Sequence, residues 1–281
     1  MRRRPPNQRP RPSLRGALYQ RGFLRTGERT EILKYLSTLR PIWENRFSAH
    51  NPPPQGEEQR LLLRPVYWLG NWQFACLDYY HPPKGILHRC VGAEPYPPVL
   101  QRIVARIEAR AREVYHGTDI PEGWRLNTCL INFYGSRITA EGKRVDTARV
   151  GEHRDYEPGP VGSLSLGDRA LFQFVASRGR GTREGVVLQE WLEDGSFQLF
   201  GGAYFKDKLF HRVQRVEKKR GEIFPPAIPG FESRRVNFTF RYVPEKHIVP
   251  YRELPAEKAS DVRGYMEQLA QHSPFFKEQL T

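Results

Sequence analysis

The second half of the chain is a series of short β-forming runs, and this pattern restricts the possible folds more than any other feature. Seven runs lie between Trp124 and Val243, and turn residues such as Gly, Asp and Asn separate them. Parallel strands need crossover connections of about a dozen residues or more, and the spacings leave no room for helical crossovers. The pattern therefore predicts an antiparallel β core, either a sandwich or a barrel.

Helical patterns flank this β region. Residues 28–39 and 97–115 each place their apolar side chains on one helical face, and residues 256–280 also have a helical pattern. Between the first two helices, residues 60–90 mix aromatic and β-forming residues with Pro and Gly, which predicts short strands and loops. We therefore expect an α+β chain that is mostly antiparallel β and forms one domain.

Positive charge is in large excess and is concentrated at the N-terminus. The 281 residues have a formal net charge of +14, which is typical of proteins with polyanionic partners, although a basic surface kept for solubility is the alternative. Residues 1–27 contain eight arginines and no acid, and interleaved prolines in residues 1–15 predict a flexible basic arm.

Hydropathy and cysteine content indicate the compartment. No apolar run is long enough for a membrane span or a signal-peptide core, and three cysteines are too few for a disulfide scaffold. We therefore expect no membrane association and reduced thiols, in the cytoplasm or, in a eukaryote, the nucleus.

The segment "GEHRDYEPG" (151–159) offers two metal-binding side chains, His153 and Asp155. On a strand, residues i and i+2 point to the same side, so one metal ion could contact both. His211 follows on another predicted strand and offers a second imidazole. Two imidazoles and one carboxylate are the ligands of mononuclear non-haem Fe(II) sites, which leave coordination positions open for other molecules.

The segment "RVNFTFR" alternates strictly between polar and apolar residues. Arg235, Asn237 and Arg241 share one face of the predicted strand. Two buried guanidinium groups need anionic partners, and a dicarboxylate such as 2-oxoglutarate would accept bidentate hydrogen bonds from them. Arginines paired with surface acids on an exposed strand are the alternative.

Four motifs in this order resemble the AlkB-type branch of the Fe(II)/2-oxoglutarate-dependent dioxygenases. They are "NFY" at 132–134, "HRD" at 153–155, His211, and the R-x-N-x-T-x-R strand at 235–241. The resemblance covers about residues 126–242 and extends more weakly back to Gly16. It implies a double-stranded β-helix (jelly-roll) core with supporting N-terminal helices and a C-terminal helix. The expected division is a flexible arm at 1–15, a dioxygenase domain at 16–250 and a C-terminal helical extension at 251–281.

The resemblance also implies roles for individual residues. His153, Asp155 and His211 would bind Fe(II). Asn132 and Tyr134 would form hydrogen bonds with 2-oxoglutarate. Arg235 would bind the distal carboxylate of 2-oxoglutarate, while Arg241 and Asn237 would support the end that chelates iron. Dioxygen is the third reactant that the resemblance implies.

The substrate follows less directly from the residues. Trp68 and Trp72 lie in an aromatic, basic segment that could stack on a base, although ordinary core packing is the alternative. Glu157 occupies the place where repair-type members of the family often carry an acid facing the exocyclic amine of the base. Together with the basic arm, these residues favour an alkylated nucleic acid.

Two features depart from the expected pattern. The connection 135–152 is longer than is usual in the family, and its basic residues suggest a loop beside the mouth of the site. Cys76, His81, His88 and Cys90 lie close together, but their spacing matches no standard zinc signature. We therefore favour ordinary loop residues over a structural zinc.

The resulting hypothesis is a monomeric Fe(II)/2-oxoglutarate-dependent demethylase of alkylated bases in DNA or RNA. Hydroxylation of an N-methyl group would release formaldehyde, succinate and CO2. The same oxidative chemistry on a protein side chain or a small molecule is one alternative. A basic nucleic-acid-binding protein with an inactive metal site is the other.

Overall fold

The computed structural model describes residues 16–47, 60–73, 90–177, 185–217 and 222–281, together with residues 53, 55, 56 and 58. The helices are α1 (Glu28–Leu36), α2 (Pro98–Val114), α3 (Ala256–Ala270) and α4 (Pro274–Leu280). The strands are β1 (Ala17–Gln20), β2 (Val66–Leu69), β3 (Asn71–Gln73), β4 (Cys90–Gly92), β5 (Thr128–Ile138), β6 (Arg144–Asp146), β7 (Val150–His153), β8 (Val161–Gly167), β9 (Ala170–Val175), β10 (Val186–Leu192), β11 (Ser196–Phe200), β12 (Phe210–Val216), β13 (Phe231–Arg241) and β14 (Ile248–Val249).

Two antiparallel sheets form the centre of the fold. The larger sheet has the order β1-β11-β8-β13-β5-β2, with β6 paired to β5, and the smaller sheet has the order β10-β9-β12-β7. Aromatic residues from the two sheets pack in one cluster, with Phe200 from the larger sheet and Phe172 and Phe174 from the smaller. This is the jelly-roll arrangement expected for the β-forming runs, each of which becomes a strand. A third, small sheet (β14-β4-β3) includes a parallel pair, β14 with β4.

Strand β13 shows the predicted alternation most clearly. Val236, Phe238 and Phe240 are fully buried in the main hydrophobic core. Arg235 and Arg241 project from the opposite face into a cavity between the sheets. The strict period of two therefore supplies one face to the core and the other to the site.

Helices α1 and α2 support the larger sheet. The apolar face of α2, including Leu100, Ile103 and Ile107, is completely buried, as its sequence pattern predicted. Arg106 of α2 forms an ion pair of 2.5 Å with the buried Glu28 of α1, which holds the two helices together. Both N-terminal helices are confirmed, although α1 ends at Leu36, before the predicted end at residue 39.

The C-terminal segment forms two helices, where one was expected. Met266 and Leu269 of α3 and Phe276 of α4 are buried in the same core as the larger sheet. The ring of Phe276 contacts that of Trp72 edge to face, with centroids 5.8 Å apart. Because these helices pack against the core of the larger sheet, their packing does not mark a boundary at residue 250. The predicted division between a dioxygenase domain and a C-terminal extension stays a prediction.

The connection 135–152 is mostly a hairpin, so the prediction of a loop is wrong over much of its length. Strand β5 continues to Ile138 and pairs with β6, whose residue Asp146 faces Ser136. Arg144 forms an ion pair with Glu232 of β13, at 2.6 Å. Backbone pairing and this ion pair hold the segment against the sheet.

Two expectations fall outside the described residues: the basic arm at 1–15, and the group Cys76, His81 and His88. Cys90, the fourth residue of that group, is buried in β4. None of the helices in the described ranges is long and apolar enough to span a bilayer.

Candidate metal and co-substrate site

Three metal-ligating side chains converge where β7 ends and β12 begins. The two strands pair so that His211 lies opposite His153, and their ring centroids are 4.2 Å apart. Asp155 follows two residues after His153, just beyond the end of β7. One ligand atom from each of His153, Asp155 and His211 lies within 4.8 Å of the others, so a single ion could bind all three. The structure thus brings together the three residues that the motifs suggested.

The two imidazoles are in the protonation state that a metal ion requires. Nδ1 of His153 lies 2.8 Å from the carbonyl oxygen of Gly151, so it carries the proton and Nε2 is left to bind a metal. Burial lowers the pKa of His153 and holds the pKa of His211 well below its usual value. Both rings are therefore neutral at neutral pH.

Asp155 is the anionic ligand of the group. Burial by itself raises the pKa of this carboxyl, but the positive charges of Arg241 and Lys206 lower it, so that the net shift is downward. Arg241 donates from both Nε and Nη2 to Oδ1, at 2.8 Å in each case. Oδ2 is buried and has no hydrogen-bond donor, although His211 Nε2 lies 3.4 Å away. An ionised carboxylate with one buried oxygen unused fits a divalent cation.

Arg235 lies deeper in the same cavity and is only 1% exposed. Its Nη atoms donate to the carbonyl oxygens of Asp168 and Leu192 and to the hydroxyl of Ser165, at 2.8–3.3 Å. Its Nε has no hydrogen-bond partner. Burial lowers the pKa of Arg235 to about 10. A carboxylate in the cavity would accept a hydrogen bond from Nε and offset the cost of burying this charge.

Asn132, Tyr134 and Asn237 line the same cavity, as the resemblance implied. The amide of Asn237 donates to Ser163 Oγ at 2.8 Å, and Asn132 Oδ1 accepts from Arg64 Nε at 2.6 Å. The two asparagines are therefore already held by neighbouring side chains. Their roles toward a co-substrate stay predictions.

The sequence interpretation missed Arg64, which is buried and also lines the cavity. Its guanidinium lies 5.4 Å from the centre of the Tyr134 ring. The available signal was a single arginine inside the apolar run "LLLRPVYWL". A buried arginine needs a polar or anionic partner, so Arg64 could have been identified as a site residue in the same way as the arginines of β13.

Trp68 and Trp72 do not form a stacking platform, so that part of the prediction is wrong. The two side chains are 3% and 1% exposed. Each indole Nε1 donates to Oε1 of the buried Glu44, at 2.8 and 2.9 Å. A buried carboxylate satisfies both polar tips, so the rings belong to the core. The local sequence around a buried tryptophan does not differ from that around an exposed one, so the sequence could not distinguish the two cases.

Glu157 lies next to the metal ligands but is only 3% exposed. Its Oε2 is 3.7 Å from Nε of Arg241, the arginine that also binds Asp155. The side chain lines a second cavity, on the Asp155 side of the site. Its predicted contact with a base stays a prediction.

A groove of about 410 Å³ opens beside His153. Segments 60–64 and 149–153 form its sides, and its charged residues are Arg46, Arg60, Arg64, Arg149 and Glu152. Glu152 is paired with Arg212 at 2.5 Å, so four arginines and one ion-paired glutamate line the groove. Arg149 is exposed at the end of the 135–152 connection, so this part of the segment does lie beside the site.

Comparisons with known proteins found one curated relative and several solved structures that resemble this chain. ALKBH1D of Arabidopsis thaliana, a DNA N(6)-methyladenine demethylase, is 27% identical over 122 residues, which cover 41% of this chain and 24% of that protein. The chain therefore spans about a quarter of the length of this curated relative. The structure of OsALKBH1 aligns with a TM-score of 0.49 and 22% identity over 84% of this chain and 100% of that one. The IDO structure from Bacillus thuringiensis aligns with a TM-score of 0.40 and 16% identity, over 82% and 91% respectively.

A family model decides the assignment. The model of the 2OG-Fe(II) oxygenase superfamily matches residues 16–241, which include all three candidate metal ligands and the β13 arginines. The resemblance drawn from the four motifs is thereby confirmed at the level of the superfamily. The chain belongs to the 2OG-Fe(II) oxygenase superfamily.

Proposed function

We propose that this chain is an Fe(II)- and 2-oxoglutarate-dependent dioxygenase that removes N-methyl groups from bases of DNA or RNA. The family name specifies the metal and the co-substrate. The observation that carries the choice of substrate is the arginine-lined groove that ends at His153. The relative ALKBH1D, named as a DNA N(6)-methyladenine demethylase, supports the same substrate class.

His153, Asp155 and His211 would hold the ion on one side and leave the other side open. When bound, iron with 2-oxoglutarate and dioxygen supplies the oxidising power that inserts one oxygen atom into a methyl C–H bond. The hydroxymethyl amine then loses formaldehyde, while 2-oxoglutarate becomes succinate and CO2. Arg241 keeps Asp155 ionised and fixes its Oδ1, so that Oδ2 is left for the metal.

Arg235 would orient 2-oxoglutarate. Its buried Nε lacks a hydrogen-bond partner, and its side chain is fixed by hydrogen bonds to β8 and to two carbonyl oxygens. A guanidinium held in this way can bind a carboxylate without a further loss of side-chain freedom. The ring of Tyr134 lies 6.0 Å from this guanidinium, and its phenol would donate to the same carboxylate.

The groove would bind the sugar-phosphate backbone. When arginines neutralise the phosphates, the counterions bound to the nucleic acid are released. The binding should therefore weaken as the salt concentration rises. A methylated base must leave its stack to reach the buried metal ligands, since His211 is only 4% exposed. Exposed arginines at the groove would hold the strand on both sides of the extruded nucleotide.

Arg149→Glu tests the assignment of substrate. We expect it to raise KM for a methylated oligonucleotide at least about tenfold, since each arginine that neutralises a phosphate contributes to binding, and to leave slow substrate-free succinate formation unchanged. Arg252→Glu, an exposed arginine outside the groove, is the matched control. If a methylated lysine peptide stimulates turnover and no oligonucleotide does, the substrate is a protein. If no succinate forms under any condition, the metal site is inactive. The monomeric state and the compartment stay predictions from the sequence.

A further inference from the structure

A second cavity, of about 610 Å³, lies on the Asp155 side of the metal ligands. The turn 154–159 and the connection 202–207 form most of its lining. Residues 149–153 line the arginine groove, and residues 154–159 line this cavity. The metal ligands His153 and Asp155 therefore lie where the two spaces adjoin. A nucleic acid that follows segment 149–159 would meet both spaces.

Two buried charged groups of opposite sign line this cavity. Lys206, on a π-helical turn (Tyr204–Lys208), is 8% exposed, and its Nζ has no hydrogen-bond partner. Oε2 of Glu157, which is 3% exposed, has no hydrogen-bond donor. A buried ammonium and a buried carboxylate are costly to leave without hydrogen bonds. A ligand that carries a donor beside an acceptor would satisfy both.

Among the buried groups around Asp155, Lys206 and Arg241 balance two carboxylates, while Asp119, Arg154 and Asp207 are less buried parts of the cavity lining. Asp155 and Glu157 are two carboxylates, and Arg241 contacts both. Burial lowers the pKa of Lys206, while Asp155 and Glu157 raise it, so the ammonium lies within electrostatic range of both acids. Without Lys206, these buried groups would have an excess of negative charge, and a cation would be favoured beside them.

An exposed aromatic ring lines the cavity. Tyr156 is 51% exposed and belongs to the lining, and Tyr204, 43% exposed, lies two residues before Lys206 in the chain. Large aromatic side chains at the surface commonly stack on bases. The Watson–Crick edge of adenine offers an amino donor next to a ring-nitrogen acceptor, which matches Glu157 and Lys206.

We propose that Lys206 makes this site select an uncharged N-methylated base, such as N6-methyladenine, over a cationic one, such as 1-methyladenine. This inference rests on the proposed function. Methylation of the exocyclic amine leaves the base neutral and its ring nitrogen free to accept a hydrogen bond from Lys206. Methylation of the ring nitrogen removes that acceptor and adds a positive charge, which the ammonium repels.

The test compares kcat/KM for two oligonucleotides that differ only in carrying N6-methyladenine or 1-methyladenine at one position. We expect the wild-type protein to prefer the neutral base, and Lys206→Met to reduce the preference at least tenfold. Lys206→Arg should retain the preference because it keeps the charge. Lys208→Met, which removes an exposed lysine of the same turn, is the matched control and should also retain it.

The outcomes separate the two proposals. An unchanged ratio of kcat/KM in Lys206→Met, or an equal loss on both bases, would overturn the role of Lys206 and leave the demethylase intact. Succinate formation without turnover of any methylated oligonucleotide by the wild-type protein would overturn the proposed function. Thermal unfolding and 2-oxoglutarate binding show whether each variant folds, and Lys206→Gln replaces Lys206→Met if the latter does not.

Discussion

At the scale of single residues, the buried arginines of β13 explain most of the site. Arg241 is 3% exposed and binds the metal-ligand carboxylate, while Arg235 is 1% exposed and has no carboxylate partner among the described residues. Burying a guanidinium in this way is unfavourable unless an anion arrives to share its charge. We therefore propose different roles for the two arginines, Arg241 toward the metal ligand and Arg235 toward the co-substrate.

Arg235→Met should raise KM for 2-oxoglutarate at least about thirtyfold, because losing one partner of a buried charge pair costs about 2–5 kcal/mol. Succinate formation at increasing 2-oxoglutarate concentration measures this effect. Arg252→Met, an exposed arginine away from the site, should leave KM unchanged. An unaltered KM in Arg235→Met would show that the dicarboxylate binds elsewhere.

Residue identity alone predicted part of the site. The metal triad and the β13 arginines could be found because their side-chain chemistry is costly to bury without a function. Trp68 and Trp72 could not be placed, since the buried acceptor that satisfies them, Glu44, is more than twenty residues away in the chain. Lys206 had no sequence signal, because it lies in an irregular connection whose path depends on tertiary packing.

At the scale of elements, the pairing of β5 with β13 aligns the residues that we propose bind the co-substrate. Tyr134 lies opposite Arg235, and Asn132 lies opposite Asn237. Close approach of the two backbones at Gly135 maintains this register beside a bulge between Ser233 and Arg235. The alternation of polar and apolar residues predicted which face each side chain occupies. It did not predict which strands are neighbours, because long-range pairing leaves no local pattern.

Gly135→Ala should destabilise the protein and disturb the site. A Cβ at this position would lie 1.8 Å from the carbonyl oxygen of Glu232, so the strands would have to separate. We expect Tm to fall by at least about 5 °C, which for a protein of this size corresponds to roughly 2 kcal/mol.

Gly151→Ala is the control for this change, since no atom lies within 4 Å of its added Cβ. Calorimetry of both variants gives the comparison. Equal Tm values for Gly135→Ala and Gly151→Ala would show that the register of β5 and β13 tolerates the added group.

At the scale of the whole molecule, arginines lie along the groove beside His153 and in the N-terminal arm. The groove beside His153 carries four arginines, and its one glutamate is ion-paired. Composition predicted a polyanionic partner but not the position of this groove, which forms only when segments 60–64 and 149–153 come together. The arm at 1–15 adds six arginines from the sequence.

Deletion of residues 1–15 should weaken nucleic-acid binding and reduce its salt dependence. On duplex DNA, the slope of log K against log salt changes by about 0.9 for each phosphate that an arginine ceases to neutralise. The six arginines of the arm could neutralise up to six phosphates. Fluorescence anisotropy at several salt concentrations measures the slope. Substrate-free succinate formation should stay unchanged, and an unaltered slope would show that the arm does not bind the nucleic acid.

We propose that iron held by His153, Asp155 and His211 oxidises an N-methyl group on a nucleic acid. The most direct test measures succinate and formaldehyde together, with Fe(II), 2-oxoglutarate, dioxygen and an N6-methyladenine oligonucleotide. We expect the two products in equal amounts, and neither product from Asp155→Asn. Succinate that forms at the same slow rate with and without the oligonucleotide, and without formaldehyde, would contradict the account.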